Sequence, residues 1–163
     1  MKKFTLLFVV MTFIGTQALY AQSKIKVGGS LGYSTQIGSV GIGLDGVYNI
    51  NDKIDAAADF TYYIENDYVS WITIDANGHY LLMEKDKTNV YGLGGLGLII
   101  GTVNIPELEM FGYGSSSYSR ICLNLGGGAT HSLTDKLSLM GEAKLAITNG
   151  SYLNLRVGVL YSL

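Results

Sequence analysis

The chain has 163 residues, 11 of them Lys or Arg and 13 Asp or Glu, for a formal net charge of −2 with 48% hydrophobic residues. That balance disfavours nucleic acid as a partner, because phosphate backbones call for clustered basic residues. A single cysteine, Cys122, excludes an internal disulfide, and its alternation pattern makes it a small residue at an inward strand position. In chain order, Lys2 and Lys3 precede an apolar run from Phe4 to Ile14, and small residues follow between Ala18 and Ala21. This is the layout of a secretory signal, and about 11 apolar residues fall well short of the ~20 of a spanning helix. Residues 1–21 are therefore expected to be removed, with a cut after Ala18 as the alternative because Leu19 is large for its position. Residues 22–163 then form one domain, undivided by any Pro-rich or charged linker, and the basic count falls from 11 to nine once Lys2 and Lys3 are gone.

Eight stretches of that domain alternate apolar and polar residues with a period of two. In the first, Lys24–Ser34, Ile25, Val27, Leu31 and Tyr33 oppose Lys24, Lys26, Ser30 and Ser34. Val40–Ile50 sets Val40, Ile42, Leu44, Tyr48 and Ile50 against Asp45 and Asn49, and the polar turn Asn51–Lys53 follows. The third stretch, from Ile54, places Ala56, Ala58, Phe60, Tyr62 and Ile64 opposite Asp55, Asp59, Thr61 and Glu65. In the fourth, Val69–Leu82, Ile72, Ile74, Ala76, Tyr80 and Leu82 face away from Thr73, Asp75, Asn77 and His79, before a turn at Glu84–Asn89. The fifth, Val90–Ile100, mixes glycine and leucine without clean alternation, which leaves its facing unassigned. Tyr118–Thr130 alternates Ile121, Leu123, Leu125 and Ala129 with Arg120, Cys122, Asn124 and Thr130. Leu137–Thr148 alternates Leu139, Ala143, Leu145 and Ile147 with Ser138, Glu142, Lys144 and Thr148. The last, Tyr152–Leu163, is the most regular, with Leu153, Leu155, Val157, Val159, Tyr161 and Leu163 on one face.

Unbroken apolar faces opposite charged or glycine-bearing ones invert the pattern of a soluble barrel and suit lipid outside with a polar interior. The expected fold is all-β: an eight-stranded antiparallel up-and-down transmembrane β-barrel, the smallest usual size. An even strand number leaves both termini on one side, the periplasmic side in such barrels. The external loops then fall near Gln36–Ser39, Glu65–Tyr68, Gly101–Ser117 and Asn149–Ser151. Tyrosine, apolar with a polar tip, favours membrane interfaces. Tyr48, Tyr80 and Tyr161 lie outward at the periplasmic strand ends and Tyr33 and Tyr62 at the external ends, as two girdles.

An interior this narrow is filled by its own side chains. Charges of both signs there imply ion pairing, and Asp59, Arg120, Glu142, Lys144 and Arg156 are expected to form a network across a plugged lumen. Gly92, Gly94 and Gly97 match the spacing of a dinucleotide-binding loop, but the following Leu98, Ile99 and Ile100 continue a strand where that loop needs a helix. His131 and Ser132 with Glu142 give the residue types of a hydrolytic set. Adjacent strand residues point to opposite faces, however, and the pair sits beside a periplasmic turn. No catalytic, metal or cofactor site is expected.

The Ala21-Gln22 region, the segment Ile72–Leu82 ending in Tyr80, the run Val90-Tyr91-Gly92-Leu93-Gly94-Gly95-Leu96-Gly97 and the amphipathic last strand together resemble the OmpX and OmpA-type outer-membrane β-barrel family. The similarity is to the form common in Bacteroidetes and extends over nearly all of residues 22–163. It implies residence in the bacterial outer membrane among lipids and lipopolysaccharide, and assembly by an insertion machinery that reads the last strand. That strand usually ends in an aromatic residue, whereas this chain ends in Leu163 with Tyr161 two positions earlier. The resemblance further implies a non-enzymatic structural or surface-interaction role through external loops. Only Gly101–Ser117 is long, and Ile105, Leu108, Met110, Phe111 and Tyr113 make it apolar enough to serve an unknown surface partner. Two alternatives are a soluble barrel around a small apolar ligand, which needs an apolar interior and charged exterior, and a membrane-embedded lipid-modifying enzyme.

Overall fold

The computed structural model describes residues 24–104 and 115–163. Within them lie eight strands: β1 Ile25–Ser34, β2 Ser39–Asn51, β3 Ile54–Asn66, β4 Val69–Lys85, β5 Thr88–Asn104, β6 Ser115–Ser132, β7 Leu137–Ile147 and β8 Tyr152–Ser162. Each pairs antiparallel with its sequence neighbour, and β8 returns to β1 from Lys26↔Ser162 to Ser34↔Asn154, closing the sheet. Closure removes the free edges of the sheet through the barrel wall, and only the far end of β6, Ser115–Cys122, extends past β7 to pair with β5 alone.

Turn chemistry at the end carrying both termini is local. Asn51 Oδ1 accepts from the amides of Lys53 (2.9 Å) and Ile54 (3.0 Å), and Thr134 Oγ1 accepts from those of Lys136 (3.3 Å) and Leu137 (3.0 Å). The β4–β5 turn is tighter than the sequence suggests. Pairs Glu84↔Asn89 and Lys85↔Thr88 extend both strands, and Asp86 turns the chain with φ 53°. A charged stretch reads as loop in sequence, but here its side chains stand in solvent while its backbone pairs. At the far end, Asp67 (φ 48°) and Tyr68 (φ 65°) make the two-residue β3–β4 turn.

The alternation has the facing that the sequence implies. Ile121 is 72% exposed, and Leu31, Ile42, Leu44, Leu96 and Val157 are each at least 60% exposed, around the outside of the barrel. An apolar surface this extensive has no place in water and matches the lipid band of a membrane barrel. Tyr33 and Tyr62 stand outward toward the far end, and Tyr48, Tyr80 and Tyr161 toward the termini end. Strand β5, undecided from sequence, turns Tyr91, Leu93, Gly97, Ile99 and Gly101 inward and Leu96 outward. Its ambiguity has a physical source, because both of its faces are apolar.

The inward side chains stack in three layers. Tyr63, Trp71, Ile99, Cys122, Ala146 and Tyr152 cluster toward the far end, with Ile37 and Val69 against them. Val47, Met140 and Leu160, with Ala57, cluster toward the termini end. Between them lie the buried charges.

Candidate functional site

Lys144, 1% exposed, reaches across the middle layer from β7. Its Nζ lies 2.6 Å from Asp75 Oδ2 and 3.3 Å from Asp59 Oδ1. Arg156, from β8, places Nη1 2.8 Å from Asp59 Oδ1 and 3.3 Å from Glu142 Oε1, while its Nη2 pairs with Asp45 and lies 3.3 Å from Ser30 Oγ. Asn124 Nδ2 donates to Asp75 Oδ1 (2.9 Å) and Asn77 Oδ1 (3.1 Å), and Asn77 Nδ2 donates to Asp59 Oδ2 (3.3 Å). Tyr91 donates to Glu142 Oε2 at 3.2 Å and stacks on His79 with ring centroids 4.3 Å apart. Ser30, Asp45, Asp59, Asp75, Tyr91, Asn124, Lys144 and Arg156 represent β1 to β8 in turn, so every strand holds a member of one hydrogen-bonded hub.

Backbone spacing makes room for it. A Cβ at Gly97 would meet the Asp75 carboxylate and stand 2.7 Å from Cys122 Sγ, so the glycine opens the space in which Asp75 and Asn124 meet. Without that space the shell of donors around Asp75 is lost.

Of the five residues expected to join across the lumen, the structure brings together Asp59, Glu142, Lys144 and Arg156. Arg120 stands apart, and this corrects the expectation. It has the inward parity, but β6 rises past the lumen at that level, so the side chain is exposed at the far mouth. There its guanidinium lies 4.8 Å from the Tyr118 ring centroid. Asp45 and Asp75 are the carboxylates of the hub that the sequence expectation did not name, and Ser30, Tyr91 and Asn124 join it as uncharged partners. Alternation marks both as inward, but only the strand register opposes Asp45 to Asp59 and Asp59 to Asp75. The loop candidates Ile105, Leu108, Met110, Phe111 and Tyr113 lie outside the described residues.

His131 and Glu142 do not meet. His131 Nδ1 lies 2.9 Å from Thr88 Oγ1 at the exposed termini end, whereas Glu142 is in the hub. Among the described residues no group of three or more His, Cys, Asp or Glu side chains is placed to hold a metal ion.

Among the described residues, cavities flank the layers at both ends. A vestibule of about 360 Å³ opens at the termini end, bounded by Lys26, Asp55, His79, Tyr91 and Asp135 among others. At the far end a cleft of about 170 Å³ lies among Gln36, Trp71, Tyr118, Arg120, Thr148 and Tyr152, with Ile99 and Gly150 completing its wall.

Comparison with functionally curated proteins by sequence finds no match. Among solved structures the chain is similar to the N-terminal β-barrel domain of Pseudomonas aeruginosa OprF, with TM-score 0.72 and 14% identity over 87% of this chain and 98% of that one. It is also similar to Neisserial surface protein A, with TM-score 0.62 and 18% identity over 85% and 94% of the two chains. A third likeness is to Ail, the attachment invasion locus protein of Yersinia pestis, in complex with the heparin analogue sucrose octasulfate. Its TM-score is 0.60, at 16% identity over 85% of this chain and 96% of that one. At such identities the likeness speaks for the fold. The family profile described as "Outer membrane protein beta-barrel domain" matches residues 4–162. With that match over a closed eight-stranded barrel whose apolar side chains face outward, the chain belongs to the outer membrane protein β-barrel family, whose place is the bacterial outer membrane.

Proposed function

We propose that this outer-membrane barrel is a non-enzymatic, non-conducting protein with a structural or surface-contact role. The observation that carries this reading is the hub: one hydrogen-bonded set from all eight strands, flanked along the lumen axis by two apolar clusters. A water-filled pore keeps its lumen charges hydrated, whereas here the Lys144 and Arg156 side chains pair with carboxylates from other strands. The exterior meets membrane lipid and lipopolysaccharide. The amphipathic β8 suits recognition by the insertion machinery, following removal of residues 1–21. Contact with other molecules then falls to the far end, including the apolar segment 101–117. Ail with bound sucrose octasulfate is a precedent for a barrel of this fold meeting a polyanion.

The test is electrical. Reconstituted into planar bilayers, the protein is expected to pass no steady current, and large, stable single-channel openings would overturn the reading.

A further inference from the structure

We propose that the open edge of β6 beyond β7 is a docking strand for an extended, carboxylate-bearing segment of another protein, which joins the sheet there as an added strand. The inference deepens the surface-contact role proposed above and rests on it for the orientation of that end toward the outside of the cell.

The edge follows from the ladders. Leu123↔Ile147 is the last pair that β6 makes with β7, whereas its pairing with β5 continues without a register shift to Asn104↔Ser115. Ser115–Cys122 therefore has a strand neighbour on one side only, an edge about 26 Å long at roughly 3.3 Å per residue. Backbone alternation decides which groups it offers, because each residue of an antiparallel strand bonds one neighbour with both its N–H and its C=O, and the next residue bonds the other. The Ser132 N–H donates to Lys87 on the β5 side and the Leu133 N–H to Leu137 on the β7 side, each at 2.8 Å. Even-numbered residues of β6 thus bond β5, and odd-numbered ones bond toward β7. The N–H and C=O of Ser117, Ser119 and Ile121 point out from the open edge, and no backbone group of the described residues bonds them. Natural edges are shielded by proline, lysine or a bulge. Here Ser116, Ser117 and Ser119 are small and exposed, and the ladder behind them runs unbroken.

The edge is also held in place before anything docks. Behind it β5 pairs with β4 as far as Val69↔Val103, and Trp71 Nε1 donates to the Tyr118 hydroxyl at 2.8 Å, tying β6 to β4. A preformed template spares a partner part of the ordering cost of association. Charge selects the partner. Arg120 is exposed and makes no ion pair with any described residue, in contrast to Lys144 and Arg156, each of which has at least two carboxylates. Its guanidinium lies 4.8 Å from the Tyr118 ring centroid. As an even-numbered residue it takes a non-hydrogen-bonded position toward an added strand, where side chains directly opposite each other stand closest. A carboxylate opposite Arg120 completes that pair. On the outward face, Ser117 and Ser119 replace the apolar residues that run from Ile121 downward, so the edge stands beyond the lipid band and its partner arrives through water.

The full mature barrel, refolded in detergent micelles, would be titrated with a fluorescein-labelled decapeptide of alternating Thr and Glu, and with its Thr-Lys counterpart. Anisotropy reads the binding and amide hydrogen exchange reads its place. Saturable binding of the Thr-Glu peptide is expected, with exchange slowed at Ser117, Ser119 and Ile121. The Thr-Lys peptide, and the Thr-Glu peptide on Arg120→Gln, are each expected to bind about fivefold more weakly, the size of one cross-strand charge pair. Ser119→Pro removes an edge donor on the side away from β5, so the barrel and its heat-dependent gel shift should persist while binding is lost. Absence of saturable binding, or binding that Ser119→Pro leaves intact, would overturn the proposal. So would slow exchange of the three amides in the barrel alone, which would give the edge to the chain's own segment 105–114, or protection that grows with barrel concentration, which would give it to a second copy. A failed titration on a barrel that passes no current removes the docking edge alone; a conducting barrel removes the broader reading whatever the titration shows.

Discussion

Lys144 shows how a charge can sit deep in a narrow barrel. Its ammonium lies between Asp59 and Asp75, Asn124 donates to the Asp75 oxygen that it does not reach, and Asn77 adds a second donor at Asp59 Oδ2. Removing one partner of a buried ionic set strands the others, at a cost of about 3–5 kcal/mol. Lys144→Met should therefore lower unfolding stability in urea by that order, while Arg120→Gln, exposed at the mouth, should change it by no more than about 0.5 kcal/mol. Equal effects of the two substitutions would mean that the buried pairs carry no special weight. Alternation was enough to mark Lys144, Asp59, Glu142 and Arg156 as inward, because a period of two fixes the face on which a side chain stands. It could not rank depth along the strand, and that is why Arg120 looked like a hub member. Nor could it show that Trp71, Ile99, Met140 and Leu160 point into the lumen as apolar layers, since a lone apolar residue on a polar face looks like noise in the pattern.

At the scale of the strand, facing decides what a substitution does. Val157, mid-strand on β8, is 62% exposed on the outer surface, and its neighbour Arg156 is buried in the hub. A cation on the lipid face near the bilayer midplane costs about 2–4 kcal/mol. Val157→Arg is thus expected to lose that much stability in lipid vesicles, although the same residue type one position earlier is accommodated. A neutral outcome would place β8 away from hydrocarbon. Seven strands were legible in facing because one face was polar. Strand β5 was not, as Tyr91, Leu93 and Ile99 look inward while Leu96 and its alternates look outward, and glycines on both sides weaken the contrast. Only pairing with β4 and β6, Trp71↔Gly101 and Gly97↔Cys122 among the pairs, settles it.

For the molecule as a whole, closure couples these parts. With the sheet closed through the barrel wall and a hub reaching every strand, unzipping cannot start at a strand edge within the wall without breaking the hub. Unboiled protein is expected to migrate faster on an SDS gel than boiled protein, and identical migration of the two would argue against a closed barrel in that detergent. The Arg156 contacts add a statement about time. Ser30, Asp45, Asp59 and Glu142 belong to strands that precede β8 in the chain, and each finds this guanidinium only when β8 docks. Until then three carboxylates lack that counter-ion and must retain water in its place, which holds a half-built lumen wet. Docking of β8 against β1 therefore joins sheet closure to dehydration of the interior in a single cooperative event, making incomplete barrels short-lived species that either finish or withdraw from the bilayer.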